Sequence, residues 1–281
     1  MSEERNALEL SLAKITRPRY ARVLARTRLF RSLDDRCCPL VWLSAPPGAG
    51  KTALISSYLE ARSVPHLWYQ LDRGDSDLPT FFHYLGLAAA NALQFDRKLL
   101  PQLRAEFNPD VSVFARRYFE ALSARVKTPF VLVFDNYHEV APSAALHAAL
   151  RDGLASLPGN FTTVVLSRAA PPPEWARTRL NEQLLLLGWD ELRLDVEEVA
   201  ELVRLTRGEG ADAVAVQELC ERTQGWAGSS SCCSRPSSMT RGVCRRTRHI
   251  KCCSTISPAR SSRRSMRRRN VCLPRVRCWA R

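Results

Sequence analysis

Along the first 227 residues, short runs of consecutive apolar positions alternate with longer stretches in which apolar positions recur at helical spacing. The runs cover residues 39–44, 66–71, 130–134 and 161–166, with a shorter fifth at 184–187. Each has the length of a strand and is apolar on both faces. The helical patterns fill residues 51–62, 78–94, 111–126 and 143–156, then 195–206 and 211–223. Ahead of them, residues 14–34 read as an extended lead-in followed by a short amphipathic helix carrying Val23, Leu24, Leu29, Phe30 and Leu33. Apolar strands alternating with helices predict an α/β fold, a parallel sheet with helices on both faces. The expected organisation is an N-terminal segment (1–39), a P-loop domain (40–194), the start of a helical or winged-helix domain (195–227) and a basic tail (228–281). Residues 1–227 contain no internal repeat.

The turn after the first strand carries the clearest chemistry. Ala45-Pro46-Pro47-Gly48-Ala49-Gly50-Lys51-Thr52 matches a phosphate-binding loop except at its first position, where the usual residue is glycine. It lies between a predicted strand and a predicted helix, the context such a loop needs. A chance Gly/Pro turn is the competing reading. In the functional one, backbone N–H groups of the loop cradle phosphates and the helix N-terminus adds favourable dipole. Lys51 then reaches the β and γ phosphates, and the Thr52 hydroxyl ligates Mg²⁺. The strand over 130–134 ends at Asp135, which puts a carboxylate at a strand's carboxyl end, placed to hold Mg²⁺ through water. An ordinary strand ending in a turn would look the same. Together the two motifs predict binding of ATP or ADP with Mg²⁺.

Catalysis is less marked. Many P-loop ATPases carry a second acid after this aspartate, and here the position is Asn136, with Glu139 on another side of the turn. Hydrolysis is therefore expected to be slow. Arg168, after the fourth strand, either contacts the γ-phosphate or is a solvated residue at a strand end.

With these residues in place, residues 14–227, about three quarters of the chain, resemble the ATPase region of the large ATP-binding LuxR-type transcription regulators, in the STAND class of P-loop NTPases. The resemblance rests on Lys14-Ile15-Thr16-Arg17-Pro18-Arg19 with Arg28-Leu29, the P-loop, and Trp68 to Asp72 followed by Phe81-Phe82. It continues through Asp135-Asn136-Tyr137-His138, Ser167-Arg168 with the prolines at 171–173, Asp190 to Leu194, and Thr223 to Trp226. It implies a switch: ADP holds a closed monomer, and inducer with ATP favours a form that self-associates. A helical arm senses inducer, and a C-terminal helix-turn-helix of the full-length parent binds DNA. By position, Lys51, Thr52 and Asp135 bind Mg-ATP, Arg168 senses the γ-phosphate, and the Gly225-Trp226 corner lies near the adenine. Ala227 stands where proline is common, which puts that last contact in question. His138 fits the pattern without a defined role; a hydrogen-bonded structural histidine is the alternative.

Charge changes the picture at the C-terminus. The chain's formal +14 is unevenly distributed: residues 228–281 hold 14 Arg, one Lys, no acid and seven of the ten cysteines. The preceding residues hold 27 basic and 28 acidic side chains. The resemblance predicts an apolar helix after Gly-Trp, and GC-rich codons for this stretch, read one frame over, spell one. The tail is accordingly expected to be out of frame and disordered, and the chain a truncated regulator. A functional tail is the alternative: its paired arginines could bind phosphate backbones, making a short stand-alone ATPase that acts on nucleic acid. A nucleotide-dependent scaffold is a third reading. The tail cysteines come as adjacent pairs, Cys232-Cys233 and Cys252-Cys253, unlike the spaced pairs of a zinc site. Cys37, Cys38 and Cys220 are expected to be reduced packing residues. No run approaches the roughly 20 apolar residues needed to span a bilayer, and the charged N-terminus lacks a signal sequence's apolar core. These features predict a cytoplasmic protein without a membrane partner.

Overall fold

Five parallel strands form one sheet: β1 (Leu40–Ser44), β2 (His66–Gln70), β3 (Phe130–Asp135), β4 (Phe161–Ser167) and β5 (Leu184–Leu187), in the order β2-β3-β4-β1-β5. The structure, a computed structural model, describes residues 13–36, 38–103, 110–142, 144–208 and 212–228. The expectations for residues 229–281, for the first 12 residues and for Cys37 lie outside the described residues.

Strand side chains alternate between two cores, as period-two geometry requires. Leu40 and Trp42 of β1, Phe130, Leu132 and Phe134 of β3, and Phe161 and Val165 of β4 share one cluster. Their neighbours Val41, Leu43, Val131, Val133, Val164 and Leu166 share the other. The first face is covered by α3 (Leu78–Leu93), α4 (Val111–Ser123) and α5 (Leu146–Leu154). The second is covered by α1 (Thr27–Asp34) and α2 (Lys51–Ala61). Short polar side chains start several helices: Asp77 accepts from Thr80 N–H at 3.0 Å, and Asp110 accepts from Ser112 N–H at 2.9 Å.

Two short helices escape the sequence pattern, α6 (Ala176–Leu180) and α7 (Trp189–Leu192). Each is under two turns, too short to repeat an apolar position at helical spacing. After them, α8 (Val196–Arg207) and α9 (Ala213–Thr223) pair around a small core of Leu194, Val199, Val203 and Val216. Asp195 and Glu198 form a reciprocal capping box at the start of α8.

The strand order creates the crevice. β1 passes the chain to β2 at the far edge, beyond β4 and β3, while β4 passes it across β1 to β5. Connections thus leave in opposite directions beside β1, and the crevice opens at the strands' carboxyl ends.

Candidate functional site

The loop between β1 and α2 sits in that crevice. Gly48 and Gly50 have positive φ, +78° and +83°, which only glycine adopts readily. Gly50 is the N-cap of α2 and offers no side chain, so the first N–H groups of the helix have no side-chain acceptor. Ala45, the departure from the usual first glycine, is buried and absent from the positive-φ positions. Nothing in its conformation demands glycine. Its N–H donates to Ser167 O at 3.3 Å, and Ser44 lies opposite Ser167 in the sheet, so the loop and the end of β4 leave the strands side by side.

The residues singled out by sequence converge here. The Thr52 hydroxyl donates to Asp135 Oδ2 at 3.0 Å, bridging from α2 to the end of β3. Lys51 Nζ folds back onto its own loop, donating to Ala45 O at 2.6 Å and Pro46 O at 3.2 Å. Burial pushes the Lys51 ammonium below the usual lysine range, opposed by Asp135 and reinforced by Arg168. Burial likewise pushes the Asp135 carboxyl up, against the Asn136 N–H, the Thr52 hydroxyl and the Lys51 charge. Asn136 takes a left-handed conformation, φ +57°, which turns the chain sharply after β3. Its N–H closes back on Asp135 Oδ1 at 2.8 Å.

Arg168 and His138 belong to the same electrostatic cluster. Burial depresses the His138 pKa, Arg168 and Lys51 add to this, and Glu139 opposes it. Both His138 ring nitrogens are buried without a hydrogen-bond partner among the described residues; Glu139 Oε1 lies 3.4 Å from Nε2 outside hydrogen-bond geometry. Of the two readings of His138, the alternative of a hydrogen-bonded structural histidine finds no partner here. That role falls to His147, whose ring meets Tyr137 Oη at 2.8 Å and Ala141 O at 3.0 Å.

Two residues at the site, Trp42 and Tyr20, carry no motif, and a third, Trp226, belongs to the Gly225-Trp226 corner. Trp42, fully buried in β1, donates through Nε1 to Ala169 O at 3.1 Å, while Ala169 N–H donates to Ser167 Oγ at 3.0 Å. These two bonds fix the chain on both sides of Arg168. Tyr20 lies close enough to Asp135 to feel its charge. Trp226 Nε1 donates to Pro47 O at 3.0 Å, and Gly228 N–H donates to Gly48 O at 3.0 Å. The Gly225-Trp226 corner therefore rests on the phosphate loop itself. Gly225 is required there: its φ is +71°, and a Cβ would stand 2.5 Å from Leu194 O. A tryptophan among strand apolar residues reads as core, and loop-to-loop contacts leave no periodic trace.

A parallel sheet in this order, with a glycine-rich loop opening a helix at β1 and an acid at the end of β3, defines the P-loop NTPase fold. Within that class the chain belongs to the nephrocystin 3 N-terminal family, whose sequence profile matches residues 22–168. It is 30% identical over 221 residues to the HTH-type transcriptional regulator MalT of Vibrio cholerae, a match covering 76% of this chain and 24% of that protein. The chain thus spans about a quarter of this curated relative's length. Among solved structures, the Walker-type ATPase PABY2304 of Pyrococcus abyssi superposes with a TM-score of 0.50 at 16% identity, over 75% of this chain and 67% of that one. That likeness speaks to the fold. Among the described residues, no helix is long and apolar enough to cross a membrane.

Proposed function

We propose that the chain is the ATP-binding switch module of a LuxR-type transcription regulator, holding ATP or ADP with Mg²⁺ and hydrolysing ATP slowly. The Thr52–Asp135 hydrogen bond beside Lys51 carries this reading. A hydroxyl and a carboxylate brought together at a helix N-terminus are hard oxygen donors of the kind Mg²⁺ takes, with waters and phosphate oxygens completing its shell. Mg²⁺ supplies charge neutralisation at the β and γ phosphates. The backbone of residues 45–52 cradles the phosphates, Lys51 leaves its loop carbonyls to reach them, and Arg168 meets the γ-phosphate. With Asn136 in place of a second acid, no carboxylate follows Asp135 to polarise the attacking water, so turnover is slow.

The regulator assignment rests on the MalT likeness, which covers 76% of this chain. Self-association is expected to follow ATP binding. Promoter binding belongs to other parts of a full-length parent.

The test is equilibrium titration of the purified chain with a fluorescent ATP analogue, with and without Mg²⁺. Saturable, Mg²⁺-dependent binding is expected, weakened about a hundredfold or more in Lys51→Ala through loss of a charge-assisted contact. A Lys51→Ala protein that binds like the parent would sink the assignment.

A further inference from the structure

Between α3 and α4 the chain does not run straight across. It leaves α3 through Gln94, φ +55°, and makes one short helical turn, Arg97–Leu99, where Asp96 accepts from Lys98 N–H at 2.9 Å. Leu100 is then buried in the core, and Arg125, just past α4, donates to Leu99 O at 3.0 Å. The stretch is thereby held as an outer wall. Between this wall, α3 and α4 lies a cavity of about 470 Å³. That volume is within the range of small-molecule pockets and many times the space one water takes. Neither the phosphate loop nor Asp135 lines it.

Phe82, Tyr84, Leu100, Pro101 and Leu103 give the cavity apolar walls. Among the described residues that line it, Arg97 brings a charge and none brings a carboxylate. Arg97 is half-buried and pairs with no acid among the described residues; its Nη1 meets His83 Nδ1 at 2.9 Å instead. Beside it stands Tyr118, 1% exposed, whose hydroxyl has no hydrogen-bond partner among the described residues. Gly86 lets the two approach. A Cβ there would stand 3.2 Å from Arg97 Cγ and 3.4 Å from Tyr118 Oη, so both come down on α3 at one point. A buried hydroxyl bonded to nothing is costly, and a guanidinium without an acid is a donor fork without its best acceptor. One anionic group at that point answers both.

We propose that this cavity binds a small organic acid. Its carboxylate is taken by the Arg97 guanidinium and the Tyr118 hydroxyl, and its hydrocarbon body lies against Phe82, Leu100 and Leu103. A carboxylate matches the planar guanidinium fork with two parallel hydrogen bonds. The long Arg97 side chain turns from His83 to the acid, which uncovers the Tyr118 hydroxyl beneath its stem. The apolar walls favour an acid with a hydrocarbon body over a bare inorganic anion. No group of the nucleotide site takes part.

The experiment titrates the full chain against para-fluorophenylacetate and its neutral amide, following the fluorine NMR signal of each. Saturable binding of the acid is expected, with the amide at least about tenfold weaker. Tyr118→Phe and Arg97→Gln should each weaken the acid about tenfold. Tyr118→Phe removes a hydroxyl that bonds to nothing, so its thermal midpoint should not fall below the parent's, which separates loss of the site from loss of the fold. Inorganic phosphate should not displace the acid. Equal binding of acid and amide, unchanged affinity in both variants, displacement by phosphate or no binding by the parent would each overturn the proposal.

Discussion

Thr52 and Asp135 are 83 positions apart in sequence, yet their side chains share a 3.0 Å hydrogen bond. The strand order explains the meeting: β1 and β3 flank β4, so both residues face the same crevice. The fold thereby keeps a carboxylate in a place that suits its neutral form. Asp135 titrates above the usual range because burial outweighs its hydrogen bonds and the nearby ammonium. A raised folded-state pKa means that the stability this group contributes is present at low pH and is lost as pH rises through that pKa. Asp135→Asn should therefore raise the urea midpoint of the nucleotide-free protein at pH 8, with the gain shrinking toward pH 4. The same variant should lose Mg²⁺-dependent nucleotide binding. A lower midpoint at pH 8 would show that the charge stabilises the fold.

The two ends of the loop should respond oppositely to the same pair of residue types. At Gly48 an added methyl meets a positive φ and stands 3.0 Å from Trp226 Nε1. Gly48→Ala should cost about 1–2 kcal/mol by its left-handed backbone alone and displace Trp226. Ala45 is buried at ordinary φ, so Ala45→Gly, which restores the common motif residue, should destabilise by about 1 kcal/mol through backbone entropy and lost packing. Thermal denaturation of both variants decides the matter; a stabilised Ala45→Gly would contradict it.

The contrast between these positions also marks what could be read in advance. The strands were legible because β1, β3 and β4 are buried on both faces, and a residue that must be apolar on both sides leaves a continuous run. Lys51, Thr52 and Asp135 were legible because a phosphate loop and a strand-end acid are local patterns. Trp42 was not, and the Gly225-Trp226 corner was marked only through the family resemblance, without its contact to the loop. Both tryptophans bond to a segment far along the chain, Trp42 to Ala169 and Trp226 to Pro47 at a separation of 179 residues. No local spacing encodes such a contact. The role of His138 was left open for a related reason: the hydrogen-bonded histidine of this region is His147, nine residues on, and only the path of the chain after β3 decides which ring finds Tyr137.

Trp226 should report the state of the loop. Trp42, Trp68 and Trp175 are buried in the sheet's core, while Trp226 rests on the Pro47 carbonyl of the loop proposed to hold the phosphates. Adding ATP or ADP should change the intrinsic fluorescence of the parent, and that change should vanish in Trp226→Phe. A full response retained by the variant would place the reporting tryptophan elsewhere and uncouple this corner from the loop.

Arg26 should be the costliest single loss in the lead-in to α1. Its guanidinium is 5% exposed and serves two backbone carbonyls and the Glu198 carboxylate, itself 11% exposed. Glu198 Oε2 also accepts from Asp195 N–H at 3.2 Å, so one carboxylate ties the lead-in to the cap of α8. Arg26→Ala leaves that carboxylate and the Leu192 carbonyl short of a donor in a dry place, a defect that costs about 3–5 kcal/mol. Arg26→Lys should recover little, because a single ammonium cannot present the planar fork that reaches all three acceptors. Arg28 contacts the same Glu198 at 3.3 Å, but it is 43% exposed. Solvent screens that pair, and Arg28→Ala should cost under about 1 kcal/mol. Chemical denaturation of the three variants separates these cases. Similar losses for Arg26→Ala and Arg28→Ala would mean that burial does not set the strength of this junction, and the lead-in would then be held chiefly by Leu24, which packs on the α8–α9 core.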